Sequence, residues 1–423
     1  MKIAIIGTGI AGMACGHFLS RRDPYGQKNA EISFYEKNDY AGGHTNTITV
    51  DEDGQPVYID TGFMVFNHVT YPNLVKLFDE LKVPTFPTSM SFSVQYTPDG
   101  LEYCGSGLNG LFAQRKNVFN LPYIRMLKQI ARFNDESIKI LDDPNYANHT
   151  LGQYIKEKGF GDDMLWKYLM PMSSAVWSTP LDKMADFPAQ TLIRFFYNHG
   201  FLGLNTQHQW YTVKNGSKTY RDIIMAPFKD KLRLNDHVVK VLRKDDKVVV
   251  KTKSGSETEF DKVIIAAHGN EALAMLDNPT HDEQRLLSKF HYQANQTVLH
   301  TDASVMPKNK RVWSSWNYRV EGKEGKTHAS TIYWMNSLQK VSKKKDYFVS
   351  LNDPGNIDPE KILSVIDYEH PLFDVDAIKA QAELKTINET GPVHFCGSYF
   401  RYGFHEDALK SAVELCEALN KRT

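Results

Sequence analysis

The chain has 423 residues, with 50 Lys plus Arg against 50 Asp plus Glu, and four cysteines. That length supports two or three domains and a core large enough to need no disulfide or metal staple, and the balanced charge excludes a chain-wide pull toward nucleic acid. Cys15, Cys104, Cys396 and Cys416 are too scattered for a zinc site or a disulfide framework, so free thiols in a reducing compartment are expected and no metal site is.

Residues 2–6, Lys-Ile-Ala-Ile-Ile, are apolar on both faces and predict a buried parallel strand. A turn over Gly7 to Gly12 follows, then a helix from Gly12 to about Arg22, then a second strand over Glu31 to Tyr35 that ends at Glu36. Glycines interrupt the apolar stretch 1–19, which therefore reads as a βαβ opening rather than a signal peptide. No other stretch approaches the roughly 20 apolar residues of a spanning helix. A cytoplasmic protein is expected, soluble or peripheral on the inner face of the membrane.

Residues 48–60 predict a hairpin turning at Asp53-Gly54, and 73–82 a short helix. Residues 89–103 alternate as two strands around Pro98-Asp99-Gly100. Residues 121–209 are mostly helical in pattern and rich in Phe, Trp, Tyr and Met. Val238 to Leu242, Val248 to Thr252 and Glu257 to Phe260 suggest a small antiparallel sheet, and Asp261 to Ala267 another buried strand. Residues 296–335 alternate again, and the chain closes with a strand, Val393 to Cys396, and a helix from about Glu406 to Leu419. The Lys343-Lys344-Lys345 run reads as a solvated loop.

Gly7-Thr8-Gly9-Ile10-Ala11-Gly12 is G-x-G-x-x-G. Gly7 permits the tight turn, Gly9 lets backbone approach a pyrophosphate, and Gly12 lets helix pack closely on strand. The helix N-terminus, with the N–H groups of Ile10 and Ala11, then faces the phosphates. Glu36, at the end of the second strand, is placed to accept from ribose hydroxyls. Gly105-Ser106-Gly107-Leu108-Asn109-Gly110 has the same spacing, but it follows a hairpin and opens no βα unit, so a single dinucleotide site is expected.

Ala41-Gly42-Gly43-His44 resembles the Gly-Gly-Arg phosphate segment of the flavin-containing amine oxidoreductase superfamily, with His44 where Arg is usual. His394-Phe-Cys-Gly397-Ser398 and Gly403-Phe404-His405-Glu406-Asp407-Ala408 resemble its closing signature, with Asp407 for a usual glycine and Phe404 for the cage tyrosine of amine oxidases. The runs Gly62 to Asn67, Val69 to Asn73, Met90 to Val94, Leu111 to Asn117, Leu151 to Tyr154, Val176 to Ser178 and Tyr333 to Asn336 are similar to the N-terminal flavin domain of plant cyclopropane-fatty-acyl-phospholipid synthases and to free-standing bacterial relatives.

The resemblance implies an α/β fold: a Rossmann-like FAD-binding domain with an inserted α+β substrate domain containing a helical subdomain, as in amine oxidases. The FAD-binding domain would comprise 1–85, 210–295 and 385–423; the substrate domain 86–209 and 296–384, with its helical part at about 121–209. The resemblance implies non-covalent FAD held by Gly7, Gly9, Ile10, Ala11, Gly12, Glu36, Lys37, Gly43, His44, Val239, Gly397, Ser398, His405, Glu406 and Ala408. It implies a FAD-dependent oxidoreductase that oxidises or desaturates a fatty-acyl or lipid substrate. An amine or polyene oxidase, or a flavin-binding partner of a cyclopropane-fatty-acid-synthase-like methyltransferase, are the alternatives. Trp210, Tyr333, Asn336, Tyr399 and Tyr402 are candidates for the reacting centre, and the aromatics of 164–211 for an acyl pocket. His199 and His208 read as core or surface histidines. Arg125, Lys128 and Arg132 share one face of the helix expected after Pro122, beside an apolar stripe of Ile124, Leu127, Ile130 and Ala131, which predicts peripheral membrane contact; Arg115 and Lys116 precede them, and no acid intervenes between Tyr103 and Asn134. No nucleic-acid partner is expected.

Overall fold

A computed structural model describes residues 1–21, 30–203, 206–322 and 327–421. β1 (Lys2–Ile6) runs into α1 (Ile10–Leu19), and β2 (Glu31–Tyr35) returns parallel to β1. The helix starts at Ile10, two residues before its expected start at Gly12, because Gly9 is the cap; its expected end near Arg22 lies outside the described residues. These strands centre an all-parallel sheet ordered Leu232–Arg233, β2, β1, Lys262–Ile265, Val393–Phe395. β1 is buried from Ile3 to Ile6, as expected of a strand covered on both faces. The closing helix His405–Lys421 packs on α1, so the two ends of the chain form one layer.

A second sheet of seven strands is ordered Ile362–Leu372, His291–His300, Phe348–Leu351, His328–Trp334, Trp316–Glu321, Phe92–Tyr96, Leu101–Cys104. It is antiparallel except where 316–321 meets 92–96. The helical region 121–198 packs beside it, with Tyr103 Oη donating to the Lys167 carbonyl (2.6 Å) and Tyr318 Oη to Ser174 Oγ (2.7 Å). The expected hairpin forms as Thr47–Glu52 and Gln55–Asp60, and the small antiparallel sheet as Val238–Lys244, Lys247–Thr252 and Glu257–Phe260. Three short segments, Phe66–Asn67, Thr85–Thr88 and Trp210–Val213, pair into a further three-stranded sheet.

The expected domain limits cut through elements. The 295/296 limit falls inside the strand His291–His300, whose ladder to Ile362–Leu372 is continuous from His291. The 85/86 limit splits Thr85–Thr88. The helix Val375–Glu383, assigned to the substrate side, packs on His281–Leu287 of the nucleotide side. Each segment is held by tertiary pairing that alternation alone does not reveal. The Gly105–Gly110 segment forms a short surface helix, Gly107–Leu111, after a hairpin strand, and Lys344 pairs with Asp53 (2.9 Å).

Candidate functional site

The glycine turn, the Ala41–His44 loop, the closing helix and the strand Ile362–Leu372 enclose a cavity of about 1580 Å³. At its nucleotide end each glycine has a distinct job. A Cβ on Gly12 would overlap the Gly7 carbonyl, whereas a Cβ on Gly9 would have nothing within 4 Å and would project into the cavity. Gly9 is therefore free for the fold and restricted only by what approaches it. Thr8 donates from its backbone N–H and hydroxyl to Glu36 Oε2 (3.0 and 2.6 Å), and Asn38 N–H donates to Oε1 (3.0 Å). The Glu36 carboxylate is thereby aimed, with acceptor capacity left on both oxygens. Lys37 pairs with Glu271 (2.5 Å) at the same rim, and Val239 lies on the edge strand above it.

Gly43 continues the cradle, 3.4 Å from Gly9 measured from its ideal Cβ, and His44 lies buried behind it. The His44 ring stacks on Tyr368 (4.7 Å) and lies 5.2 Å from His370. Burial, with neighbouring imidazoles, pushes its pKa well below the usual range, so it is a neutral donor or acceptor and not the cation that stands there in relatives with Arg. A cation does line the cavity from another part of the chain. Arg221, on the helix Lys218–Met225, lines the cavity beside Gly42 and donates to the Ala41 carbonyl (3.4 Å) and to Asp222 (2.8 Å). Sequence reasoning missed Arg221, since nothing local separates it from any surface arginine of an amphipathic helix. It also missed Tyr368 and His370, although the i, i+2 alternation from Ile362 to His370 marks one inward face.

At the other end, Gly397, Ser398, His405 and Ala408 line the wall. His405, at the start of the closing helix, stacks on Phe63 (3.8 Å) and shares a hydrogen bond with Tyr220 Oη (2.8 Å); burial lowers its pKa to about 3. Beyond them lies an aromatic cluster: Trp177, Phe195 and Phe404 within 4.7–5.9 Å of one another, with Phe201, Tyr402 and Trp210 around them. His199, set aside on sequence, is sandwiched between Phe195 (3.8 Å) and Trp210 (6.2 Å) and is buried neutral, its pKa near 4, which agrees with a core histidine.

Of the five reacting-centre candidates, Trp210, Tyr333, Tyr399 and Tyr402 line the cavity. Asn336 does not. Its amide donates to the Ser342 (3.0 Å) and Lys345 (2.7 Å) carbonyls and accepts from Tyr347 N–H (2.8 Å), closing the loop between two strands. The Glu406 side chain is likewise turned away, accepting from the backbone N–H groups of Asn73 and Leu74 (both 3.0 Å) at the start of the helix Pro72–Leu81. That helix lacks a side-chain cap of its own, and a buried carboxylate from the closing helix serves instead.

Native proteins satisfy buried polar atoms. Among the described residues, six on this wall have no protein partner: Tyr35 Oη, His44 Nε2, Trp210 Nε1, Thr297 Oγ1, Trp316 Nε1 and Tyr399 Oη. Together with the open approach to Gly9, they fit a large polar ligand with an aromatic end. The four cysteines are buried and absent from the wall, so no cysteinyl tether is available.

A cradle for a dinucleotide joined to an aromatic chamber defines a flavoprotein oxidoreductase. Residues 10–346 match the model of the flavin-containing amine oxidoreductases, and the chain belongs to that family. It is a FAD-dependent oxidoreductase. Cyclohexylamine oxidase from Brevibacterium oxydans IH-35A superposes over 100% of this chain and 99% of its own, with a TM-score of 0.70 at 14% identity. A CLA-producing fatty acid isomerase from P. acnes covers 98% and 97%, with a TM-score of 0.66 at 15% identity. Both likenesses are of fold. A segment of 83 residues is 34% identical to 15-cis-phytoene desaturase of Synechococcus elongatus; it spans 20% of this chain and 15% of that protein.

Proposed function

We propose that the chain oxidises or desaturates a fatty-acyl or lipid substrate. The observation that carries this reading is the aromatic chamber. Trp177, Phe195, Phe201, Trp210 and Phe404 form a wall with no charged side chain among them, continuous with the cofactor cradle. Such a wall favours a long apolar chain by burial at about 25 cal/mol per Å². The carboxylates that line the cavity, Glu36, Asp39, Asp236, Glu271, Asp367 and Glu369, come from other segments of the chain than these aromatics. Phe404 also removes the tyrosine hydroxyl of the amine-oxidase cage. The 83-residue likeness to 15-cis-phytoene desaturase supports a long apolar substrate.

The chain's own residues would hold the cofactor through the α1 N-terminus, Glu36, the Gly43 loop with Arg221, and the start of the closing helix. Bound FAD supplies a two-electron acceptor for a substrate hydride. The chamber would exclude water and orient the chain, and the hydroxyls of Tyr333, Tyr399 and Tyr402 are groups able to relay the accompanying proton out to water, each releasing its own as it takes the next. Burial raises the pKa of each tyrosine, so all three are neutral donors near pH 7.

A second reading, amine oxidation, is favoured by the family match and by the aromatic faces of Phe195 and Phe404, which could meet a cation. Anaerobic titration separates the two. Acyl lipid should bleach the flavin and yield a product two hydrogens lighter by mass spectrometry. Bleaching by primary or secondary amines, with none by acyl lipids, would overturn the proposal.

A further inference from the structure

The surface predicted to meet a membrane is not built as the spacing suggested. Leu127 and Ile130 pack against the core, and Arg132 is engaged by Glu136, by the Lys158 carbonyl and by the Phe160 ring. A different surface is exposed one turn earlier. Leu108 is 75% exposed, Val118 47%, Phe119 89% and Leu121 74%. Large apolar side chains scattered singly need no explanation, but a cluster on one short stretch does.

The cluster stands on an ordered pedestal. Arg115 donates to the Phe112 carbonyl (3.0 Å) and to Asn109 Oδ1 (3.3 Å), which sets the Leu108 helix beside the turn Arg115–Phe119. Asn117 is buried, Asn120 caps the helix Leu121–Ser137, and Tyr123 Oη donates to the Leu111 carbonyl (2.6 Å). Phe119 and Leu121 thus project from a fixed turn. Around them lie Arg115, Lys116, Arg125 and Lys128, all exposed, and none of the four meets a carboxylate at ion-pair distance among the described residues. Asp99 and Asp163, which share a shallow pocket with Lys116, are both paired to Lys167 (2.6 and 2.7 Å). Glu102 is buried and takes the N–H groups of Lys308 and Asn309.

We propose that this turn is a membrane-docking surface: Leu108, Val118, Phe119 and Leu121 enter the acyl boundary of an anionic bilayer while Arg115, Lys116, Arg125 and Lys128 meet its headgroups. Charge complementarity selects the occupant. An apolar tip ringed by unpaired cations suits an anionic lipid surface, whereas two copies facing each other would bring like charges together. No helix among the described residues is long and apolar enough to cross a membrane, so docking would be peripheral.

The test uses the flavin-loaded protein and vesicles of phosphatidylcholine with or without phosphatidylglycerol. Wild type should sediment with the anionic vesicles, release at high salt and ignore neutral ones. F119S/L121S and R125E/K128E should each lose roughly tenfold or more in partitioning, with flavin content and thermal midpoint unchanged, since these side chains are already in solvent. Equal binding by F119S/L121S, or indifference of the wild type to anionic lipid, would overturn the proposal. So would a wild-type dimer by light scattering that F119S/L121S dissolves without any vesicle binding.

Discussion

At the scale of single residues, the wall separates side chains held for the fold from those held for a ligand. Gly9 and Gly12 lie in the same turn, yet an added side chain meets open cavity at one and backbone at the other. Gly9→Val is expected to give a folded, colourless protein with the thermal midpoint of the flavin-free wild type. Gly12→Val is expected to fail to accumulate, because α1 can no longer lie on β1. A yellow Gly9→Val protein would contradict the cradle. Arg221→Ala should weaken FAD binding about tenfold or more, the cost of one charge-assisted contact, with flavin release by ultrafiltration as the measure. Asn336→Ala should leave single-turnover flavin reduction unchanged while destabilising the protein by about 1–2 kcal/mol, as expected when partly exposed loop hydrogen bonds are lost.

At the scale of elements, the closing helix performs two tasks from one end. His405 and Ala408 face the cavity, while Glu406 reaches across to cap the helix Pro72–Leu81. Glu406→Ala would leave two helix N–H groups unpaired in a buried place. The expected loss is about 1–3 kcal/mol, seen as a lower thermal midpoint with flavin stoichiometry retained. Loss of flavin at unchanged stability would instead return Glu406 to the cofactor. Asp60 plays a similar part. Its carboxylate accepts from Ser217 N–H (2.8 Å), Thr47 Oγ1 (2.5 Å) and Gln339 Nε2 (2.6 Å), tying the 47–60 hairpin to the helix at 218 and to the second sheet.

At the scale of the whole molecule, burial of neutral histidines makes stability depend on acid. His44, His199, His300, His370 and His405 are all held below their ordinary pKa, to about 4 for His199, His300 and His370 and about 3 for His405, with desolvation the leading cause in each. The unfolded chain takes up these protons near pH 6.5 and the folded chain does not. Their contribution is therefore present above about pH 6.5 and lost as pH falls toward 4, at about 1.4 kcal/mol per pH unit for each proton of difference. Asp407 acts in the opposite sense. Burial raises it to about 7, so its neutral form favours the fold in acid, and that contribution is lost as pH rises from its ordinary range through 7. Burial raises Asp60 and Glu406 as well, and five histidines against these three carboxylates leave the histidines dominant. The flavin-free thermal midpoint should drop steeply below pH 6, and Asp407→Asn should raise it at pH 8 more than at pH 5. A midpoint flat between pH 7 and pH 5 would show that these imidazoles are not buried in the neutral form.

The sequence by itself determined the opening βαβ unit, the family and the cofactor, because the residues that carry them are contiguous. A strand, a glycine turn, a helix start and an acid at the next strand end need only local spacing to declare a phosphate cradle, and the closing strand and helix are equally compact. The hairpin at Asp53-Gly54 and the three strands after Val238 were legible for the same reason. Tertiary structure alone decided which residues face the cavity. Arg221 reaches the cavity beside Gly42 from a helix far along the chain, Tyr368 and His370 arrive on an edge strand, and Glu406 turns out of the site its neighbours build. It also decided that Phe119 and Leu121, not the stripe at Leu127 and Ile130, meet solvent. Periodicity says which residues share a face, but not whether another element covers it, and only packing settles that.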